Sequence, residues 1–129
     1  MLRIVTAYLF IPHGTAKLFD VPHQSTFDGL QVVSLMGFAG ILEVLGGLLI
    51  LIGLFTRPVA FVLCGFMAIA YFMEHASQEH MLLPLLNQGE LAVLYCVFFL
   101  YLVFAGAGAW SVDARRKLTR LAAGASARA

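Results

Sequence analysis

From Val32 to Phe55 the chain runs through 24 residues with one charged side chain, Glu43. That is about the length a helix needs to cross ~30 Å of hydrocarbon. Leu91–Trp110 repeats the pattern with no charge at all, and Leu2–Phe19 and Pro58–His75 add two more apolar segments. Of the 129 residues, 61% are hydrophobic and 12% charged, against roughly 45–50% and about 25% in soluble domains. A core of this size could not hide so much apolar side chain, so the solvent that fits is a bilayer. The fold class expected is an all-α membrane protein, a four-transmembrane-helix bundle. Its spans run about 2–19, 32–55, 58–75 and 91–110 within one domain, 1–115, followed by a basic tail over 116–129. The first segment carries Lys17 at its far end and lacks a convincing small-residue cleavage site, so it is read as a span, interrupted at Pro12-His13-Gly14, and not as a leader.

Charge placement orients the bundle. The N-terminus, the Thr56-Arg57-Pro58 turn and the tail hold Arg3, Arg57, Arg115, Arg116, Lys117, Arg120 and Arg128. The two opposite loops, Asp20–Gln31 and Ala76–Glu90, hold Lys17 as their one neighbouring basic residue, against Asp20, Asp28, Glu74, Glu79 and Glu90. Seven basic residues against one place both termini in the cytoplasm and require an even number of spans. Arg57, Asp113, Arg115, Arg116 and Lys117 are read as structural or topology residues, with the tail also able to touch anionic lipid. Met81–Leu86, broken by Pro84, is too short to span and is expected along the interface. The location that follows is a membrane crossed several times, with both termini on the cytoplasmic side. A net charge of +1 gives no ground for a nucleic-acid partner.

An ionisable group at mid-bilayer is costly, and its default reading is functional. Glu43 lies 11 residues into the second segment, about 16 Å from the outer boundary at 1.5 Å per residue. His13 lies at a similar depth in the first segment, and Lys17 is one turn further on the same face. Arg57 is roughly 21 Å along the helix from Glu43, too far for contact. The expected picture is a polar cluster of His13, Lys17 and Glu43, with Glu74, His75 and Glu90 at the outer rim and Tyr71 and Tyr95 lining the same cavity. Such a cluster suits proton transfer or hydrogen bonding to quinone carbonyls. A buried Glu–Lys or Glu–His pair can also do no more than fix helix register. Glu79 and His80 are read as solvated rim residues.

Cys64 and Cys96 show no CxxC or zinc spacing and are read as small apolar side chains. Taken with spans 58–75 and 91–110, they fall about 12 Å apart in depth at 1.5 Å per residue. A disulfide needs Cα atoms within roughly 7 Å, so no bridge is expected. No metal site is read. His13 and His75 sit at different depths, against bis-histidine haem.

His13-Gly14-Thr15-Ala16-Lys17-Leu18-Phe19, Glu43 with Gly46-Gly47, and Gly53-Leu54-Phe55-Thr56-Arg57 follow one another along the chain. His75, Asn87-Gln88-Gly89-Glu90 and Gly106-Ala107-Gly108-Ala109-Trp110-Ser111-Val112-Asp113 complete the series. In that order, over about residues 1–115, they resemble the DoxX family of small four-helix bacterial membrane proteins. The resemblance implies a quinone-linked or redox-accessory subunit of the bacterial inner membrane, multi-pass, with quinone as the ligand and soluble redox enzymes as partners. Whether such a subunit is itself an enzyme stays open. So do a non-catalytic anchor or scaffold for soluble redox partners, and a small transporter. The glycine-rich second segment would also let a homo-oligomer pack closely.

Overall fold

The computed structural model describes residues 1–23, 34–75 and 83–126. The expected rim residues Glu79 and His80, the loop stretch 24–31, Met81 and Leu82, and Arg128 lie outside them. Among the described residues the chain is all-helical. Helix α1 spans Leu2–Phe19, α2 Leu35–Ile52, α3 Thr56–Ala70, α4 Glu90–Ala105 and α5 Val112–Ser126. Helix α3 continues through a π-helical turn, Tyr71–His75. Helix α1 runs unbroken through Pro12, correcting the expected interruption; a proline-freed carbonyl inside a membrane bundle is readily satisfied by neighbours.

Two stretches, Leu35–Ile52 and Thr56–His75, are long and apolar enough to cross a membrane. Their 18 and 20 residues correspond to about 27 and 30 Å. Helix α4 is a shorter apolar helix of 16 residues. The exposed side chains tell the same story: Leu35 is 70% exposed, Phe61 68% and Phe104 75%. Groups of that kind on so many outward faces need an apolar solvent, because water would penalise each one.

The helices pack as two close pairs, α1 with α2 and α3 with α4, joined more loosely between α2 and α3. Without a hydrophobic drive between helices in lipid, close packing falls to small residues. Gly14 supplies it in α1: a Cβ there would sit 2.7 Å from the backbone oxygen of Gly40 and 2.9 Å from Glu43 Cβ. Gly46 does the same toward α3, where Leu63 occupies the space of a side chain. Phe10 joins α1 to α4, with its ring 5.0 Å from both Tyr95 and Phe99 in edge-on contacts.

The helix ends at which Arg3 and Asp113 meet are held by polar groups. Ser34 Oγ caps α2 at the other end, accepting from Gly37 N at 3.1 Å. Gly53, at φ 71°, ends α2 in a left-handed turn, and a side chain there would collide with Ser111 and Arg3. Arg3 is buried at 6% exposure. It donates to the carbonyls of Ile50 and Leu51, to Ala107 O at 3.0 Å and to Trp110 O at 2.6 Å. Ile50 and Leu51 are among the last carbonyls of α2, and Ile50 O also accepts from Gly53 N at 3.1 Å; Ala107 and Trp110 lie in the link between α4 and α5. Asp113 caps α3 from a distant part of the chain, accepting from Phe55 N at 3.0 Å and Thr56 N at 2.8 Å. Its own N–H donates to Gly53 O at 3.0 Å. Arg57 donates to Phe104 O at 3.3 Å, near the end of α4.

Two expectations change here. Helix α4 stops at Ala105, because Gly106 and Gly108 take positive φ, so it does not run on to Trp110. The cysteines are also not separated in depth: Cys64 Sγ and Cys96 Sγ are 3.6 Å apart, unbonded. The shorter α4 is the reason. Cys64 is eight residues from Thr56 and Cys96 nine from Ala105, about 12 and 13.5 Å from the same ends of the antiparallel pair.

Burial opposes charge on Asp113, but its backbone hydrogen bonds and the nearby Arg116 outweigh that and hold its carboxyl below the usual carboxylate range. A folded-state value below the unfolded one, ~3.9, gives stability that is complete above the unfolded value and lost as pH falls through the folded one. The thermal midpoint in detergent should therefore be flat from pH 7 to about 5 and fall in stronger acid. Asp113→Ala should remove that acid-dependent part and cost about 0.5–2 kcal/mol at pH 7, as lost caps do. An unchanged acid limb in the variant would show that Asp113 is not its source. Separately, Gly14→Ala should lower the midpoint by the equivalent of about 1–3 kcal/mol through overpacking. Gly65→Ala, where an added Cβ meets nothing within 4 Å, should not; equal effects would contradict the close-approach account.

Candidate functional site

The contact at Gly14 fixes what happens one turn later. With α1 and α2 touching there, Lys17 reaches across to Glu43, and Lys17 Nζ lies 2.6 Å from Glu43 Oε1. Both side chains are shielded, at 12% and 4% exposure. The second carboxylate oxygen, Glu43 Oε2, is buried and has no hydrogen-bond partner among the described residues. A buried acceptor left unsatisfied costs about 1–3 kcal/mol, more when charged. Glu43 thus has one oxygen held by an ammonium and one with acceptor capacity to spare.

Lys17 and Glu43 stand in the wall of a cavity of about 840 Å³ between α2 and α3. Its other walls are apolar: Phe38, Ala39 and Leu42 from α2, Phe61, Phe66 and Ile69 from α3, and Leu100 from α4. Ser34 and Glu74 lie toward one end, and Cys64 and Gly65 form part of the α3 wall. The cavity exists because α2 and α3 are the loosely joined neighbours of the bundle. Its size and lining match small-molecule sites, which are mostly apolar with a few placed polar groups.

The other candidates from the sequence go elsewhere. His13 is half-buried and packs edge-on against Tyr95, with ring centroids 5.9 Å apart. Neither lines the cavity, which corrects the expected place of Tyr95. Tyr71 and His75 belong to a second polar knot. There, Asn87 donates from Nδ2 to Tyr71 Oη at 3.1 Å, and its carbonyl lies 2.9 Å from His75 Nδ1. The π-helical turn aims both side chains at Asn87, and Gly89 lets the chain pass against the Tyr71 ring. Tyr71 therefore does not line the cavity either. Glu90 is exposed in the first turn of α4, where a negative charge suits the helix dipole. Arg115, Arg116 and Lys117 are exposed on α5, with Arg116 5.5 Å above the Phe55 ring.

Residue-by-residue reasoning missed two groups. Asn87, 1% exposed, holds the turn before α4; its place ahead of Gln88-Gly89 was the available signal, since asparagine there bonds local backbone. Arg3 counted only as a charge near the chain end. Its position one residue inside an apolar run was the hint that it must find carbonyls, as a buried guanidinium requires.

Comparison with known proteins agrees with the membrane character of these helices. The family model described as DoxX matches residues 1–76. A Haemophilus influenzae protein described as uncharacterized is 47% identical over 114 residues, 87% of this chain and 85% of that protein. The Escherichia coli protein named inner membrane protein YqjF is 30% identical over 115 residues, 86% of this chain and 85% of its own length. No solved structure matches. With the matched model covering more than half its length, the chain belongs to the DoxX family of membrane proteins.

Proposed function

We propose that the chain is a multi-pass inner-membrane protein whose cavity between α2 and α3 holds a quinone-class molecule, serving as a quinone-linked or redox-accessory membrane subunit. The observation that carries this reading is Glu43 Oε2, a buried and unpartnered oxygen in the wall of an otherwise apolar cavity of about 840 Å³. In this reading α1 to α4 are the four spans and both termini face the cytoplasm. The basic residues Arg3, Arg57, Arg115, Arg116 and Lys117 gather at one end, as the positive-inside rule asks. The name of the E. coli relative supports the same compartment.

A bound quinone supplies two carbonyls that become hydroxyls on uptake of two electrons and two protons. The chain's own groups match that chemistry. The Lys17 ammonium donates to a carbonyl. Glu43 accepts from a hydroxyl through Oε2 when ionised, and donates to a carbonyl when protonated. Phe38, Leu42 and Phe61 flank the ring on the lipid-facing side, where no water competes for either hydrogen bond.

Glu43→Gln keeps the shape and removes the charge-assisted hydrogen bond, worth about 1.5–3 kcal/mol. Protein in lipid nanodiscs should then bind a short-chain ubiquinone about 10–100-fold more weakly, with its helical circular dichroism retained. Because a lone Lys17 left in the wall destabilises, Lys17→Met/Glu43→Gln serves as the charge-free companion and should show the same loss of binding. Unchanged quinone affinity in both folded variants would leave the pair with helix register alone.

A further inference from the structure

We infer that Cys64 and Cys96 form a redox-active dithiol, closing to a disulfide by passing electrons to a quinone-class acceptor in the α2–α3 cavity. The inference rests on the reading of that cavity as a quinone site and adds the electron donor that reading lacks.

The two sulfurs are 3.6 Å apart, in van der Waals contact across the α3–α4 pair. A disulfide bond is about 2.05 Å long, so closure asks the sulfurs to approach by roughly 1.5 Å. Both residues sit near the middle of their helices, at matching depth. Contact alone would suit two small packing side chains. What adds chemistry is that Cys64 also belongs to the cavity wall, on the same surface as Lys17 and Glu43, whereas Cys96 stands behind it and outside the lining. One thiol therefore faces the acceptor, and its neighbour is placed to resolve it. Charged oxidants do not enter at this depth; a membrane-dissolved quinone does.

The step balances without a further reagent. Two S–H bonds break and one S–S bond forms. The two electrons and two protons released reduce one quinone to its quinol, with the Lys17–Glu43 pair at hand to hold the carbonyl oxygens that take up the protons. A neutral, membrane-permeant thiol returns the pair to the reduced form by exchange.

The test uses the full chain in nanodiscs, reduced with dithiothreitol, freed of reductant without air and mixed with a short-chain ubiquinone. Quinol is read by absorbance, free thiols by maleimide alkylation and intact mass, and quinone binding by extraction. The expected result is one quinol per protein, joint loss of both alkylatable thiols, reversal by dithiothreitol, and no quinol from Cys64→Ser or Cys96→Ser. Diamide, a small thiol oxidant, runs in parallel. Should diamide close the pair while bound quinone does not, the electron transfer is refuted and the quinone site stands. Should neither oxidant close it, the dithiol is refuted, again leaving the site. If no quinone binds, the proposed function falls and takes this inference with it.

Discussion

Helices α1 and α2 touch where Gly14 meets the Gly40 carbonyl, and the rest of the site is a consequence of that contact. Lipid offers no hydrophobic reward for bringing two apolar helices together, so association depends on how closely backbones approach. A glycine at position 14 leaves only 2.7 Å for an added Cβ. One turn on, Lys17 spans the remaining gap and meets Glu43 at 2.6 Å. A wider pair would leave two buried charges facing apolar side chains, at a cost of several kcal/mol per ion. The same tight pair leaves α2 with a loosely packed opposite side, and there the cavity opens toward α3.

At the Arg3 end, polar groups do what packing cannot. Arg3 gathers the last carbonyls of α2 together with those of Ala107 and Trp110. Asp113 holds the first N–H groups of α3. One cation and one anion from opposite ends of the chain thus satisfy termini that would otherwise face hydrocarbon. Deeper in the bundle Glu43 Oε2 has no hydrogen-bond partner among the described residues.

Much of this was legible in the residues, for physical reasons that differ by element. Apolar runs near membrane thickness announce helices. Counting 1.5 Å per residue from a boundary set Glu43 level with His13, and in the structure its Cβ lies against Gly14, the next residue, with Lys17 reaching it from one turn further on. The same ruler failed for the cysteines, because it counted Cys96 in from the Leu91 end across a full span of ~30 Å, whereas Gly106 and Gly108 stop α4 after 16 residues. Sixteen residues cover about 24 Å, which removes about half of the separation expected. Tyr71 and Tyr95 stand off the cavity for a different reason, while His75 lies at the far end of α3, where the rim was expected. Depth says how far along a helix a side chain lies, but which way it points depends on rotation about the axis. That rotation is set by Phe10 and Phe99 beside Tyr95, and by Asn87 beside Tyr71. The cavity itself is a property of loose packing between α2 and α3, which no single segment encodes.

Lys17, Glu43 and Cys64 line one cavity, with Cys96 behind Cys64 and outside the lining. The proposed quinone ring would lie in that cavity. An experimental structure of the protein in nanodiscs with a short-chain ubiquinone present is the direct test. Ring density is expected between α2 and α3, with a carbonyl oxygen within hydrogen-bonding distance of Lys17 Nζ or Glu43 Oε2. Quinone ordered elsewhere on the protein, or an acyl chain filling the cavity at saturating quinone, would contradict it.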